Sequence, residues 1–313
     1  MINKKNILDK LISNRLVLKL STTCGQSAKT PLISVVIPVF NREKMIEKTL
    51  QSVINQTFED FEIIVVDDGS YDGTREILDR LSNSYPQKML LIKQRNEGVS
   101  SARNAGIAGA RGRYIAFCDS DDLWITTKLE EQIKVMQEKK WDVCQVEEVW
   151  IRNGKRVNSM KKHQKPSGDV FIPSLELCLV SPSATMLKKE VLNDVGLFDE
   201  TLQACEDYDL WLRIALKYSI HLYEKPLIQK IGGHEDQLSK KFWGMDRFRI
   251  YALEKHLFAD IPKHYKKALI KMLIKKSKIL LKGFVKRKNW LRYGQYQLKI
   301  IKYQIVGKYY GVK

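Results

Sequence analysis

Short runs of branched and aromatic residues alternate along the chain with stretches whose apolar positions recur every three or four residues. Ile33 to Val39 (ISVVIPV), Glu62 to Val66 and Met89 to Ile92 have the length and β-branched content of buried strands. Between the first two, Met45, Ile46, Thr49, Leu50, Val53 and Ile54 form one helical stripe, with Asn41 available to cap it. Ile77, Leu78 and Leu81 mark a second helix. A small-residue helix entered through Gly98 follows, from Asn96 to Gly112 (NEGVSSARNAGIAGARG), and then the strand Tyr114 to Cys118. Strand and helix alternating with short links predict a parallel, doubly wound α/β sheet.

The second half is less regular. Thr127 and Glu130 read as a capping box ahead of Leu129, Ile133 and Met136. Val143 to Ile151 is a strand with Asn153-Gly154 as its hairpin turn, and the polar stretch Ser159 to Asp169 is a loop. Ser183 to Leu187 and Ile220 to Tyr223 are further strands. Between them Leu210, Trp211, Ile214, Ala215 and Tyr218 line a helix opened by Glu206, Asp207 and Asp209. Gly232, Gly233 and His234 follow in a loop. From Pro262 two helices are expected, meeting near Lys288 and Asn289. Ile7, Leu8, Leu11, Ile12 and Leu16 form a stripe in an N-terminal extension. The expected division is 1–30 extension, 31–240 sheet domain and 241–313 basic helical appendage.

Charge changes this picture at one end. The 313 residues carry a net +18, yet Ile261 to Lys313 holds 16 Lys and Arg and no acid, so the remainder is nearly neutral. A basic amphipathic helix pair of this kind suits an anionic membrane surface, or packs on the body with a solvated basic face. No apolar run reaches the roughly 20 residues of a membrane span, and charged residues interrupt any leader-like N-terminal run. Five scattered cysteines without a CxxC pair suggest reduced thiols in a cytosol.

Candidate chemistry gathers at strand ends. The central strand stops in Asp119, Asp121 and Asp122, and the second strand in Asp67 and Asp68. In a doubly wound sheet these carboxyl ends open on one crevice. Neighbouring carboxylates repel unless a cation shares them, and hard oxygen ligands suit Mg²⁺ or Mn²⁺. Aspartates opening the Glu206 helix are, on their own, ordinary complements of its dipole.

In order along the chain, SVVIPVFNRE, IIVVDDGSYDGT, NEGVSSARNAG, DSDDLW and CEDYDLWLR closely resemble the motifs of family 2 glycosyltransferases, from about Leu32 to Lys217. The resemblance implies the GT-A fold and an inverting, metal-dependent transfer from a nucleotide sugar, a UDP-sugar foremost, to a saccharide or lipid-linked acceptor. It implies a cytoplasmic protein, peripheral on the membrane if the basic region binds there, in cell-surface polysaccharide or glycolipid synthesis. Residue by residue, Pro38 and Val39 with Asp68, or Asp67 in its place, would line the base pocket, and Arg103 would approach the nucleotide. Asp119 would contact ribose or metal, Asp121 would bind the metal, His234 would reach metal or diphosphate, and Asp207 would be the general base. Two other readings compete. A sugar-phosphate nucleotidyltransferase would need a Gly-rich basic segment where PVFNRE stands, and a basic nucleic-acid or anionic-surface binder leaves the ordered acidic motifs without purpose. No nucleic-acid partner is expected.

Overall fold

The computed structural model describes residues 30–152, 154–157, 163–232 and 242–312. Its core is a sheet of nine strands among those residues, in the order β3-β2-β1-β4-β8-β6-β9-β5, with β7 hairpinned onto β6. β1 (Ile33–Val39), β2 (Phe61–Asp67), β3 (Met89–Lys93) and β4 (Tyr114–Phe117) run parallel. Helices α1 (Ile46–Ile54), α2 (Thr74–Ser84) and α3 (Val99–Gly109) connect them. The chain winds outward from β1 to β3 and returns to the other side of β1 for β4, which makes β1/β4 the switch point where such sheets bind ligands.

Beyond β4 the sheet turns mixed. β8 (Thr185–Lys188) pairs antiparallel with both β4 and β6 (Val143–Arg152), and β9 (Ile220–Gly232) runs parallel to β6. The two-residue β5 (Leu123–Trp124) closes the far edge on β9, and β7 (Lys155–Val157) extends the hairpin from β6. β9 is far longer than the expected Ile220–Tyr223. Register shifts around Glu147 of β6 absorb Pro226, whose missing N–H would break a regular ladder, so pairing resumes beyond it.

The period-two alternation of β1 divides its side chains between two cores. Ile33, Val35 and Ile37 face α1 and α4 (Lys128–Lys139), whereas Val36 faces α3. That second core also takes in α5 (Phe171–Ser174), α6 (Lys189–Val195) and α7 (Glu206–Ala215). It continues through α8 (Asp246–Glu254), α9 (Lys263–Lys286) and α10 (Trp290–Tyr310), by way of Leu269, Leu273, Leu280, Phe284, Ile300 and Tyr303. The two C-terminal helices therefore pack on the body. A small-residue α3 is needed because it presses on β1: a Cβ at Gly106 would stand 2.4 Å from Val36 Cγ1.

Local caps differ from expectation. Asn41 does not cap α1, which starts at Ile46; its backbone is left-handed (φ 50°) and its Oδ1 accepts from Tyr71 N at 3.0 Å. Thr127 does not close a capping box with Glu130. Its hydroxyl donates to Glu131 at 2.6 Å, and Glu130 accepts from Thr57 instead. Ser183 stands in a 3₁₀ turn, Pro182–Ala184, ahead of β8. The N-terminal stripe, His234 and part of the Ser159–Asp169 loop lie outside the described residues.

Candidate active site

The site grows from the carboxyl ends of β2 and β4 and the N-termini of α3 and α7. Asp68 is buried where β2 ends, with its amide donating to Val39 O at 2.8 Å. Its Oδ1 accepts from Gln94 Nε2 (2.7 Å) and Glu97 N (2.9 Å), and its Oδ2 from Gly98 N (2.9 Å). It thus serves the free N–H groups where α3 begins, at Gly98 with φ 93°. Burial still raises its pKa despite these donors. Pro38 and Val39 are buried at the end of β1. The side chains standing open there are Phe40 and Tyr71, edge to face at 5.9 Å, and motif reading missed them because no periodicity marks a residue just past a strand.

Arg103 on α3 joins two parts of the chain a hundred residues apart. Its Nη2 meets Asp119 Oδ1 at 2.8 Å and its Nη1 meets Glu206 Oε1 at 2.7 Å. The side chain is 5% exposed, so its terminal nitrogens are committed to these carboxylates. Burial opposes ionisation of Asp119, but Arg103 and Lys230 outweigh it and hold the carboxyl below its usual range. Glu206 is pushed up by burial and by adjacent Asp207, against the pull of Arg103. Asn104, the next residue, grips the Phe198 backbone by both its N–H and its carbonyl, fixing the loop that leads to α7.

The acidic loop after β4 is pinned from three sides. Asp119 N donates to Ser183 Oγ (2.9 Å), which donates to Asp122 Oδ2 (2.6 Å). Thr49 Oγ1 holds Ser120 O, and Ser52 Oγ accepts from Trp124 N. Burial pushes the Asp122 carboxyl up to about 7, helped by Asp119 and Asp121 and resisted by Lys230. Lys230 Nζ lies 3.5 Å from Asp122 Oδ2. The acidic cluster therefore has two cations of its own, Arg103 and Lys230, so repulsion alone does not require a metal. Sequence reasoning missed Lys230 because β9 brings it over from more than a hundred residues away and no motif surrounds it.

Asp121 and Asp207 are both half-buried. Asp207 sits in the first turn of α7, where Oδ1 accepts from Tyr208 N (2.7 Å) and Oδ2 lies 3.5 Å from Cys178 Sγ. Cys205 precedes the helix in a left-handed conformation, φ 61°, which turns the chain sharply into α7. The Asp119–Arg103–Glu206 bridge thus ties the strand end before Asp121 to the helix start that carries Asp207. Among the described residues no three His, Cys, Asp or Glu side chains form a metal cage. A cation held by one or two carboxylates together with a ligand's phosphates needs no such cage, and the oxygen donors of Asp119 and Asp121 fit that mode.

An α/β sheet with carboxylates at the strand ends beside its switch point has them where sheets of this class bind ligands. Residues 34–196 match Glycosyl transferase family 2, and the chain belongs to that family. An uncharacterized glycosyltransferase of Rickettsia felis is 36% identical over 208 residues, 66% of this chain and 34% of that protein. The chain thus spans about a third of that relative's length. The Escherichia coli UDP-Glc:alpha-D-GlcNAc-diphosphoundecaprenol beta-1,3-glucosyltransferase WfaP is 31% identical over 59% of this chain and 71% of its own. The crystal structure of S. aureus TarS 1–349 in complex with UDP-GlcNAc superposes with a TM-score of 0.65, over 89% of this chain and 91% of that one. At 20% identity that likeness speaks for the GT-A fold alone.

Proposed function

We propose that the protein is an inverting glycosyltransferase that moves a sugar from a UDP-sugar to the hydroxyl of a saccharide or lipid-linked acceptor in cell-surface polysaccharide or glycolipid synthesis. The observation that supports this reading is the Arg103 bridge, which joins Asp119, two residues before Asp121, to Glu206, the residue before Asp207. WfaP, by its name a UDP-glucose-dependent enzyme with a diphosphoundecaprenol acceptor, supports the donor and acceptor classes. Asp207 takes the acceptor hydroxyl's proton, since inversion needs one base opposite the leaving group. Glu206 is the poorer base because it is buried and engaged by Arg103. Arg103 is a positioning residue, while Pro38, Val39 and Asp68 frame the base pocket. Asp121, with Asp119 and with His234 from outside the described residues, would hold Mn²⁺ or Mg²⁺, which would supply positive charge to balance that of the departing diphosphate.

Two substitutions separate binding from chemistry. Asp207→Asn keeps UDP affinity and lowers transfer by about 10²–10⁴-fold. Asp121→Ala abolishes Mn²⁺-dependent UDP binding in calorimetry. An Asp207→Asn enzyme that turns over like the parent sinks the base assignment, and unchanged UDP affinity in Asp121→Ala sinks the metal assignment.

The same reading sets the protein on the inner face of a membrane. No described helix is long and apolar enough to cross one. α10, however, leaves Leu291, Leu298, Ile301, Ile305 and Tyr309 exposed at helical spacing in a region without acids. Flotation with anionic vesicles, lost at high salt and absent with neutral vesicles, is the expected result. Equal flotation with both would discard the electrostatic account.

A further inference from the structure

The helical region holds a second concentration of charge, of opposite sign to the crevice. Trp243, 40% exposed, is approached by three guanidiniums, those of Arg247 at 4.7 Å, Arg292 at 5.1 Å and Arg287 at 5.5 Å from the ring centroid. They come from three places: α8, the start of α10 and the turn between α9 and α10. All three lie within about one Debye length of each other, ~10 Å at 0.1 M salt, so their repulsion is little screened. An indole has two faces, so three cations around it cannot all be satisfied by the ring.

Among the described residues no carboxylate is within ion-pair distance of these arginines. The two acids of α8 are taken elsewhere: Asp246 by Arg249 and Lys276, Glu254 by Lys299 and the Tyr303 hydroxyl. The Nε of Arg247 is buried without a hydrogen-bond partner. Phe284 and Tyr296 extend an aromatic floor from Trp243, with ring centroids 6.0 Å and 5.2 Å apart, beneath a cleft of about 340 Å³ lined by Arg247 and Arg292, while Arg287 stands outside that lining with its Nη1 on Gly283 O.

We propose that this cleft is a binding site for a phosphate or diphosphate ester, separate from the crevice at β1/β4 and independent of the transferase reading. Guanidiniums present paired N–H donors that match phosphate oxygens, and the two that line the cleft, Arg247 and Arg292, suit a group carrying two negative charges. The aromatic floor would take the ester's organic part. A lipid headgroup and a soluble sugar phosphate share this chemistry.

The test is calorimetric titration of the full chain with inorganic pyrophosphate, without divalent metal and with UDP present throughout. Arg247→Gln/Arg292→Gln should weaken pyrophosphate binding at least tenfold. Lys302→Gln/Lys308→Gln, which removes equal charge elsewhere on α10, should change it less than twofold. Unchanged affinity in the first variant, equal loss in both, or displacement of pyrophosphate by raising UDP would each overturn the proposal. Arg292→Gln alone serves if the double variant unfolds, with a smaller loss expected and none overturning. Flotation with phosphatidic acid vesicles and titration with glucose 1-phosphate then identify the source. The probe whose binding the Arg variant loses, and the Lys variant keeps, carries the natural chemistry, and loss with neither overturns the site.

Discussion

The crevice and the C-terminal helices treat buried charge in opposite ways. In the crevice the acidic cluster after β4 meets counterions brought from distant elements: Arg103 holds two carboxylates and Lys230 stands against Asp122. In the helical region one buried lysine, Lys276, pairs with Asp246, but two other buried basic groups meet no carboxylate among the described residues. Lys266, fully buried on α9, donates to the carbonyls of His256, Leu257 and Ala259 just past α8. His256 is buried with its Nε2 unpartnered. The difference separates two uses of charge. Paired ions in the body fix the relative position of strand ends and a helix start, whereas in the helices cations close backbone ends and leave surplus charge facing outward.

Breaking the paired side should have the largest effect. Arg103→Ala strands two carboxylates and should cost about 3–5 kcal/mol of stability in urea titration. A loss under 1 kcal/mol would mean that water replaces the guanidinium and that the bridge does not organise the crevice. Lys266→Met tests the other side. It preserves the apolar stem but leaves three carbonyls without their donor, at an expected cost of about 2–3 kcal/mol by the same measurement. Were this variant as stable as the parent, the carbonyls must be reached by solvent.

The smallest expected effect concerns pH. Burial pushes His256 down to about 4, with Arg213, Lys255 and Lys266 adding to it and Asp209 opposing. The unfolded chain, with an ordinary value near 6.5, then binds more protons than the folded one between those limits. Stability contributed by the neutral ring is present above about 6.5 and is lost as pH falls toward 4. His256→Gln removes this limb, so thermal melts at pH 7 and pH 4.5 should differ less in the variant than in the parent, by about 1–2 kcal/mol. An identical pH response in both would place the acid sensitivity elsewhere.

What could be read from the residues alone was what local spacing encodes. The stripes at Ile46–Ile54 and Leu210–Ala215, the runs in β1 and β2, and the break near Lys288 each depend on neighbours a few positions away, and each became the expected element. The acidic ends of β2 and β4 were legible for the same reason, since a short apolar run that stops in aspartates shows itself over ten residues. Tertiary structure decided everything that joins distant segments. By spacing Arg103 is one basic residue in a small-residue helix, and by resemblance one that approaches the nucleotide; only the packing of α3 against β4 and α7 makes it a bridge between Asp119 and Glu206. Lys230 carried no signal, because its meaning depends on β9 pairing with β6 and β5 across register shifts that local periodicity does not encode. The basic C-terminal stretch was visible as composition. Which cations would be buried against carbonyls, and which gathered around Trp243, depended on how α8, α9 and α10 pack, because long-range contacts set desolvation and pairing and spacing along the chain does not.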